Sequence, residues 1–475
     1  MTGVQLTALA PLIAIAATSI VLMAAIAVRR NRTWSVAITL AGLAASFGLA
    51  FEALAVAPVK VTPLLLIDRP ALFFFALLIA AAAVVVVLAA DYFARRAAEI
   101  EELLLLLLFA TLGSCVLAAS SHLASLFLGL EILSVSLYAM VGHLRNDGRS
   151  LEAGVKYLIL AAVSSAFLLF GTALIYAETG SLELTALADL AIPAVGHKVV
   201  SLAGIALVMV GVGFKLGLAP FHMWTADVYE GAPAPVTAFV ATVSKAAVVA
   251  VLLRLLAVSE VPPPTLIWFL ALLAVASILI GNLLALRQDN LKRLLAYSSI
   301  AHLGYLMIAV VAGGPRGAEA AAFYLAAYLP TTLIAFGVIA ALSLPDREPD
   351  RLSDYRGLGR ARPFLAGLLS AALASLAGIP LTAGFIGKFV VVRAGVGAGE
   401  WGLALILVLG SVVSIYYYLR PVVTMYMQPA DGEAVSTPVS PVVSATLAAL
   451  LAVLIWLGIW PQPILEIVRT TVGTL

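Results

Sequence analysis

The sequence is poor in the residues that most cofactor and metal chemistry needs: it holds one cysteine, and only 11% of its 475 residues are charged. A lone thiol, Cys115, cannot build a disulfide framework, and with so few soft ligands a thiolate-held iron-sulfur cluster is excluded. Cys115 lies in an apolar run and reads as a small packing hydrophobe. No histidine or carboxylate spacing resembles a metal site. Glycine-rich phosphate loops are also missing, since Gly211 and Gly213 sit inside an apolar run rather than between a strand and a helix. The net charge is +2 with no basic tract, so nucleic acid has no electrostatic footprint to meet and is not expected as a partner. The N-terminus has no basic stretch ahead of its first apolar run; Arg29, Arg30 and Arg32 follow it, which reads as a retained span and not a cleaved signal.

What is present is hydrophobic length. With 63% hydrophobic residues the chain falls among all-α polytopic membrane proteins, in a bacterial inner membrane or an organelle derived from one. Runs long enough to span fall near 5–28, 34–56, 71–94, 103–119, 121–142, 154–178, 199–218, 234–257, 265–286, 292–312, 318–344, 363–397, 401–427 and 438–460, fourteen in all. Arginines and lysines crowd the connections on one side, at Arg29 to Arg32, Arg95 and Arg96, Arg145 and Arg149, Arg287 to Arg293, and Arg347 to Arg362. The opposite connections hold little beyond Lys60, Arg69, Lys198 and Arg316. The rich side is expected to be cytoplasmic, with both termini on the periplasmic side.

Two stretches match at an offset of 167 residues: Glu152 to Leu158 with Glu319 to Leu325, and Leu137 to Met140 with Gly304 to Met307. That offset covers five spans, and an odd number forces the two units to enter the membrane from opposite sides. An inverted repeat is expected, with broken helices and ion sites near the midplane. The whole chain then reads as a single membrane domain. Residues 1–100 carry spans 1–3, 101–260 the first unit, 261–430 the second, and 431–475 the last span.

Breaks are written into both units. Lys215 ends a nearly uncharged run, at a depth where an ammonium costs roughly 2.5–3.5 kcal/mol, and Gly217 and Pro220 follow at once. Gly378 and Pro380 mark a second break, so helices 7 and 12 are expected to be discontinuous. Setting aside Glu52, Asp91, Arg254, Arg393 and Arg420 as span-end charges or lone arginines, five ionisable residues stand out inside spans: Glu131, Lys156, Lys215, Lys245 and Lys388. Four are lysines, the bases that burial most readily discharges, so a line of them can pass a proton. Glu131 is the expected counter-ion of Lys215 or Lys156. Static ion pairs that fix helix packing are the alternative use of such groups. His302, with Tyr305 on the same helix face, is a secondary relay candidate. His222, just after the first break, is another. Asp227 and Glu230 are expected at the cytoplasmic mouth, where capping and solubility explain them as well as proton collection.

The segments Lys215 to Phe239, Arg287 to His302 and Pro380 to Phe389 closely resemble the antiporter-like membrane subunits of bacterial respiratory complex I, the proton-pumping NADH:quinone oxidoreductase, and subunit N most of all. The resemblance covers most of the chain. It implies fourteen spans with two inverted five-helix repeats, Glu131 with Lys215 as the central pair, Lys245 as the connecting lysine, Lys388 nearest the far exit and Lys156 as a further functional lysine. It also implies that no cofactor binds here: FMN, iron-sulfur clusters and quinone belong to other subunits. The implied partners are other membrane subunits of the complex, including a neighbouring antiporter-like subunit and small membrane subunits, together with lipids. Two other classes compete: a subunit of a multisubunit cation/proton antiporter, and an independent small-solute transporter. The Phe221-His222-Met223-Trp224 segment favours the complex I reading over the antiporter.

Overall fold

The structure, a computed structural model, describes residues 2–96, 98–189, 198–258, 263–429 and 439–474. In hydrocarbon every backbone N–H and C=O must be satisfied inside its own segment, so the apolar runs become helices. The first three are α1 (Gly3–Val28), α2 (Arg32–Ala53) and α3 (Arg69–Arg95). They begin where polar side chains can take up the free first-turn N–H groups: Thr2 caps α1, Asn31 caps α2 and Asp68 caps α3. A small antiparallel hairpin, β1 (Val59–Thr62) with β2 (Leu65–Ile67), joins α2 to α3, a strand element that the all-α expectation does not contain.

Then come α4 (Glu101–Ala119), α5 (Leu123–Val141), α6 (Gly148–Thr179), the short α7 (Ala186–Asp189), α8 (Lys198–Leu216), α9 (Met223–Gly231), α10 (Ala234–Phe239) and α11 (Lys245–Ala257). A π-helical turn, Val240–Ser244, makes α10 and α11 one continuous span. The same order follows as α12 (Pro264–Ala285), α13 (Leu291–Ala312), α14 (Gly314–Leu342), α15 (Leu358–Ala361), α16 (Pro363–Ala377), α17 (Ala383–Gly397) and α18 (Trp401–Met427). The chain closes with α19 (Pro441–Ile459) and the short α20 (Gln462–Thr471). Thus α4, α5, α6, α8, α9 and the α10–α11 span are followed, in the same order, by α12, α13, α14, α16, α17 and α18. The unit boundaries expected at 260/261 and 430/431 lie outside the described residues, as does the side chain of Lys198.

Among the described residues thirteen helices are long and apolar enough to cross a membrane. The segment expected as one span at 363–397 is instead α16 and α17, 15 residues each. Each piece is about 22 Å long, short of the roughly 30 Å hydrocarbon core, so only the pair crosses. The fourteen expected spans are therefore thirteen helices long enough to cross by themselves and this broken pair; the seventh, α8, is followed after its break at Gly217 by the separate nine-residue α9.

Burial is uneven. The span Ala234–Ala257, α13 and α14 form the centre, buried almost throughout, whereas α1, α2 and α19 expose most of their surface. The connection from Ser343 to Arg362 crosses from α14 to α16 and is pinned to the start of α13: the Leu291 N–H donates to the Asp350 carbonyl, and the Leu352 N–H to that of Asp289.

Candidate functional site

Three of the predicted lysines are enclosed, Lys245 in the central span and Lys215 and Lys388 on helices beside it. Lys215, next to last in α8, is 3% exposed; its ammonium donates to Ser134 Oγ at 2.6 Å and faces the rings of Tyr138 and Tyr157 at 5.8 Å each. Lys245 follows the π turn, is 1% exposed, donates to Ser299 Oγ at 2.8 Å and lies 5.4 Å from the Tyr229 ring. A π turn adds one residue to the helical register, a feature frequent at functional sites. Lys388, on α17, donates to the Ala377 carbonyl at 3.0 Å and sits 5.1 Å from the Tyr305 ring.

The breaks make these positions. The α8 helix stops at Leu216 because Gly217 turns to φ +72°, a conformation that L side chains rarely adopt. A Cβ at Gly217 would also lie 2.7 Å from Thr225 Oγ1, too close for any side chain, and beside Lys245 Nζ at 3.7 Å. At the second break Gly378 stands at φ +86°, and a Cβ there would press on the Lys388 side chain at 3.0 Å. Breaking α16 frees its last carbonyls, and Lys388 takes one of them.

Glu131 and Lys156 stand differently from the expectation. Glu131 is half-buried on α5 and accepts from Ser165 Oγ at 2.5 Å; among the described residues no ion pair within 4 Å joins it to Lys215 or Lys156. Glu131 and Ser134, the partner of Lys215, lie one turn apart on α5, so the carboxylate acts on Lys215 through space alone. Lys156 is not deep: its side chain is 44% exposed and pairs with Glu152 at 2.7 Å and Asp227 at 3.0 Å. It sits two turns from the start of α6, within reach of the charged connections. Asp227 and Glu230 bind Arg293 at 2.8 and 2.7 Å, so they form an ion-pair cluster with Lys156 rather than free capping groups.

His302 is buried at the centre of the second unit between two phenols, with Nδ1 2.6 Å from Tyr324 OH and Nε2 3.0 Å from Tyr418 OH. A hydroxyl can donate or accept, so either imidazole tautomer is satisfied and the ring can take a proton on one side while releasing it on the other. Ser299 contacts Tyr328 OH at 2.7 Å, and the Tyr328 ring lies 5.5 Å from that of His302. Tyr305 accepts from Asn282 at 3.0 Å and carries the contact on to Lys388. A cavity of about 10 Å³ lies between His302, Tyr328, Thr331 and Ser375, near the least volume that holds one water. His222 is buried at the first break, and its Nδ1 meets no hydrogen-bond partner among the described residues.

Sequence reasoning missed part of this network. Ser298, Ser299, Tyr324, Tyr328 and Tyr418 carry the contacts between Lys245 and His302; a signal was available in the polar run Ser298, Ser299, His302, Tyr305 along α13. Arg254, set aside as a lone arginine, is buried and bidentate with Asp68 at 2.7 and 2.9 Å. Lys292 is 1% exposed and bound to Glu348 at 2.6 Å, although it is only the second residue of α13. Its sequence neighbours give no sign of that partner, which comes from the connection more than fifty residues later.

The helix order with two breaks and enclosed lysines defines a class, the antiporter-like membrane subunit. Residues 120–414 match the family model described as NADH:quinone oxidoreductase/Mrp antiporter, TM. The fold is also found in the Mrp complex from Dietzia sp. DQ12-45-1b, with a TM-score of 0.85 over the whole of this chain and 98% of that one, at 21% identity. Within the class, the relative from Methylococcus capsulatus, NADH-quinone oxidoreductase subunit N, is 49% identical over 98% of this chain and 95% of its own length. A chain of respiratory complex I from Thermus thermophilus with bound aureothin is 36% identical with a TM-score of 0.83, covering 96% of this chain and 98% of that one. The protein belongs to the NADH-quinone oxidoreductase subunit N family.

Proposed function

We propose that this membrane subunit moves protons along Glu131, Lys215, Lys245, His302 and Lys388, coupled to quinone reduction carried out elsewhere in its complex. The observation that carries the reading is a set of enclosed polar groups that runs from Lys245 through Ser299, Tyr328, His302 and Tyr305 to Lys388, with Lys215 and Ser134 enclosed beyond the Gly217 break. Lys215 meets Ser134, Lys245 meets Ser299, His302 meets Tyr324 and Tyr418, and Lys388 meets Tyr305. Ionisable groups in hydrocarbon are costly, and several of them enclosed in one protein are the mark of an ion path. Lys156 with Asp227 serves the charged edge of the first unit, while His222 and Tyr305 are secondary relay groups.

In this reading the subunit holds no redox centre. FMN, iron-sulfur clusters and quinone act in other subunits, and its partners are a neighbouring antiporter-like subunit, small membrane subunits and lipid. The arginine-rich ends face the cytoplasm and both termini the periplasm. A cation/proton antiporter subunit is the second reading; the Mrp likeness at 21% identity speaks for a common fold alone, whereas the relatives at 45–49% identity are NADH-quinone oxidoreductase subunits. Lys245→Ala tests the proposal in inverted membrane vesicles. The complex should still purify with its flavin and iron-sulfur absorbance, while NADH-driven proton uptake is lost; normal uptake with an assembled complex would refute the path.

A further inference from the structure

The charged connections enclose a polar vestibule of about 1470 Å³, walled by groups such as Arg30, Glu99, Arg149 and Asp350. Three of its lining side chains are deeply buried rather than solvated: Tyr92 on α3, Lys292 on α13 and Glu348 in the connection between the units. Glu348 is 10% exposed and fully bonded. One oxygen accepts from Lys292 at 2.6 Å; the other accepts from Tyr92 OH at 2.5 Å and from the Ala234 N–H at 2.9 Å. Burial works against its charge, but the Lys292 ammonium and these donors win and hold the carboxyl below the usual carboxylate range. It is therefore an ionised group at the edge of water, buried at the entrance to the central helices.

From this pair, polar contacts lead inward. Lys292 also donates to the Ala232 carbonyl at 2.6 Å, which Thr237 Oγ1 approaches at 3.3 Å; these contacts fix where Lys292 and Thr237 sit and do not themselves pass a proton. The Tyr229 hydroxyl lies 3.4 Å from Ser299, the partner of Lys245. Along α13 itself, Lys292 and Ser299 are two turns apart on one face, about 10.5 Å at 1.5 Å per residue.

We infer that Glu348 and Lys292 form the proton entry that loads Lys245 from the vestibule. Lys292 passes its proton along this face of α13, through water, to Ser299 and Lys245 and is reprotonated by Glu348, which takes a proton from vestibule water; each donor returns to its starting charge. This rests on the lysine path proposed above. A structural latch is the competing use, because a buried pair that ties α3, α10, α13 and the connection together also fixes the packing of the two units.

Glu348→Gln separates them in purified complex and inverted vesicles. The amide keeps the shape and its oxygen can still accept from Ala234 and Tyr92, but it can neither take up nor release a proton at working pH, and its NH2 faces the Lys292 ammonium. Turnover and proton uptake per assembled complex should fall about tenfold, less than the roughly 10²-fold cost of losing an acid–base group in a closed site, since vestibule water still delivers protons. Glu348→Asp, which restores a carboxyl, should recover most of the activity. Normal uptake in Glu348→Gln, with Lys245→Ala inactive, overturns the entry while the lysine path stands; normal uptake in Lys245→Ala overturns the path itself. Should Glu348→Gln not assemble, the Lys292→Met/Glu348→Gln double variant, which leaves no unpaired charge, takes its place. Low activity in that assembled variant supports the entry, whereas normal activity, or failure of both variants to assemble, makes the pair a latch.

Discussion

The two five-span units use the same interruption in opposite ways. In the first, Lys215 lies on the piece upstream of its break, points to a neighbouring helix and leaves the break at Gly217 to pass beside Lys245. In the second, Lys388 lies on the downstream piece, α17, and reaches back to the Ala377 carbonyl that the break freed. The first lysine is thus held by a side chain one turn from a carboxylate, the second by the broken helix itself. The first unit is also open at its edge, with Glu131 half-buried and Lys156 half-exposed. The second is closed, with His302 and its tyrosines wholly enclosed. What the difference teaches is that two similar helix breaks need not carry the same chemistry: the break supplies backbone groups, and the local side chains decide what they bind.

The contrast predicts different responses to charge removal. The largest effect is expected at Lys215→Met, which takes away the ammonium that binds Ser134, one turn from Glu131. Quinone-linked turnover and proton uptake per complex should both drop by about 10²-fold, with assembly kept because Glu131 retains Ser165. Assays on purified complex check this, and lost assembly with normal turnover in what remains would make the first unit's lysine structural.

Lys388→Arg probes the second unit. An arginine keeps the charge that the freed carbonyl binds but stays protonated, with a pKa above about 12, so a carrier role predicts uptake as poor as in Lys388→Ala. If arginine preserves pumping and alanine does not, a fixed charge suffices and the two units differ in principle as well as in geometry.

The smallest effect concerns Phe323, which stands in the second unit where the repeat offset puts Lys156 in the first. It is fully buried where Lys156 is half-exposed. Phe323→Leu should lower stability by about 1–2 kcal/mol, below the 3–5 of a full truncation to alanine, and leave the proton-to-electron ratio unchanged. Thermal denaturation and vesicle stoichiometry measure the two quantities, and an altered ratio would give this apolar position a role in transport.

Much of the architecture is written in local composition. Apolar length sets the spans, Gly217 and Gly378 set the breaks, and an ammonium placed among apolar residues marks Lys215, Lys245 and Lys388 without any knowledge of their neighbours. These features are legible because hydrocarbon penalises each unsatisfied backbone group and each charge by itself, so their cost depends on sequence position alone. Partner choice is another matter. That Glu131 meets Ser165 and not a lysine, that Lys156 turns to Asp227, that Arg254 clamps Asp68, and that Lys292 finds Glu348 are outcomes of how helices far apart in sequence come to lie side by side. A hydrogen bond needs two groups within about 3 Å. Only the tertiary packing sets that distance, which is why the sequence determines where the charges lie along each helix and the fold decides what each of them faces.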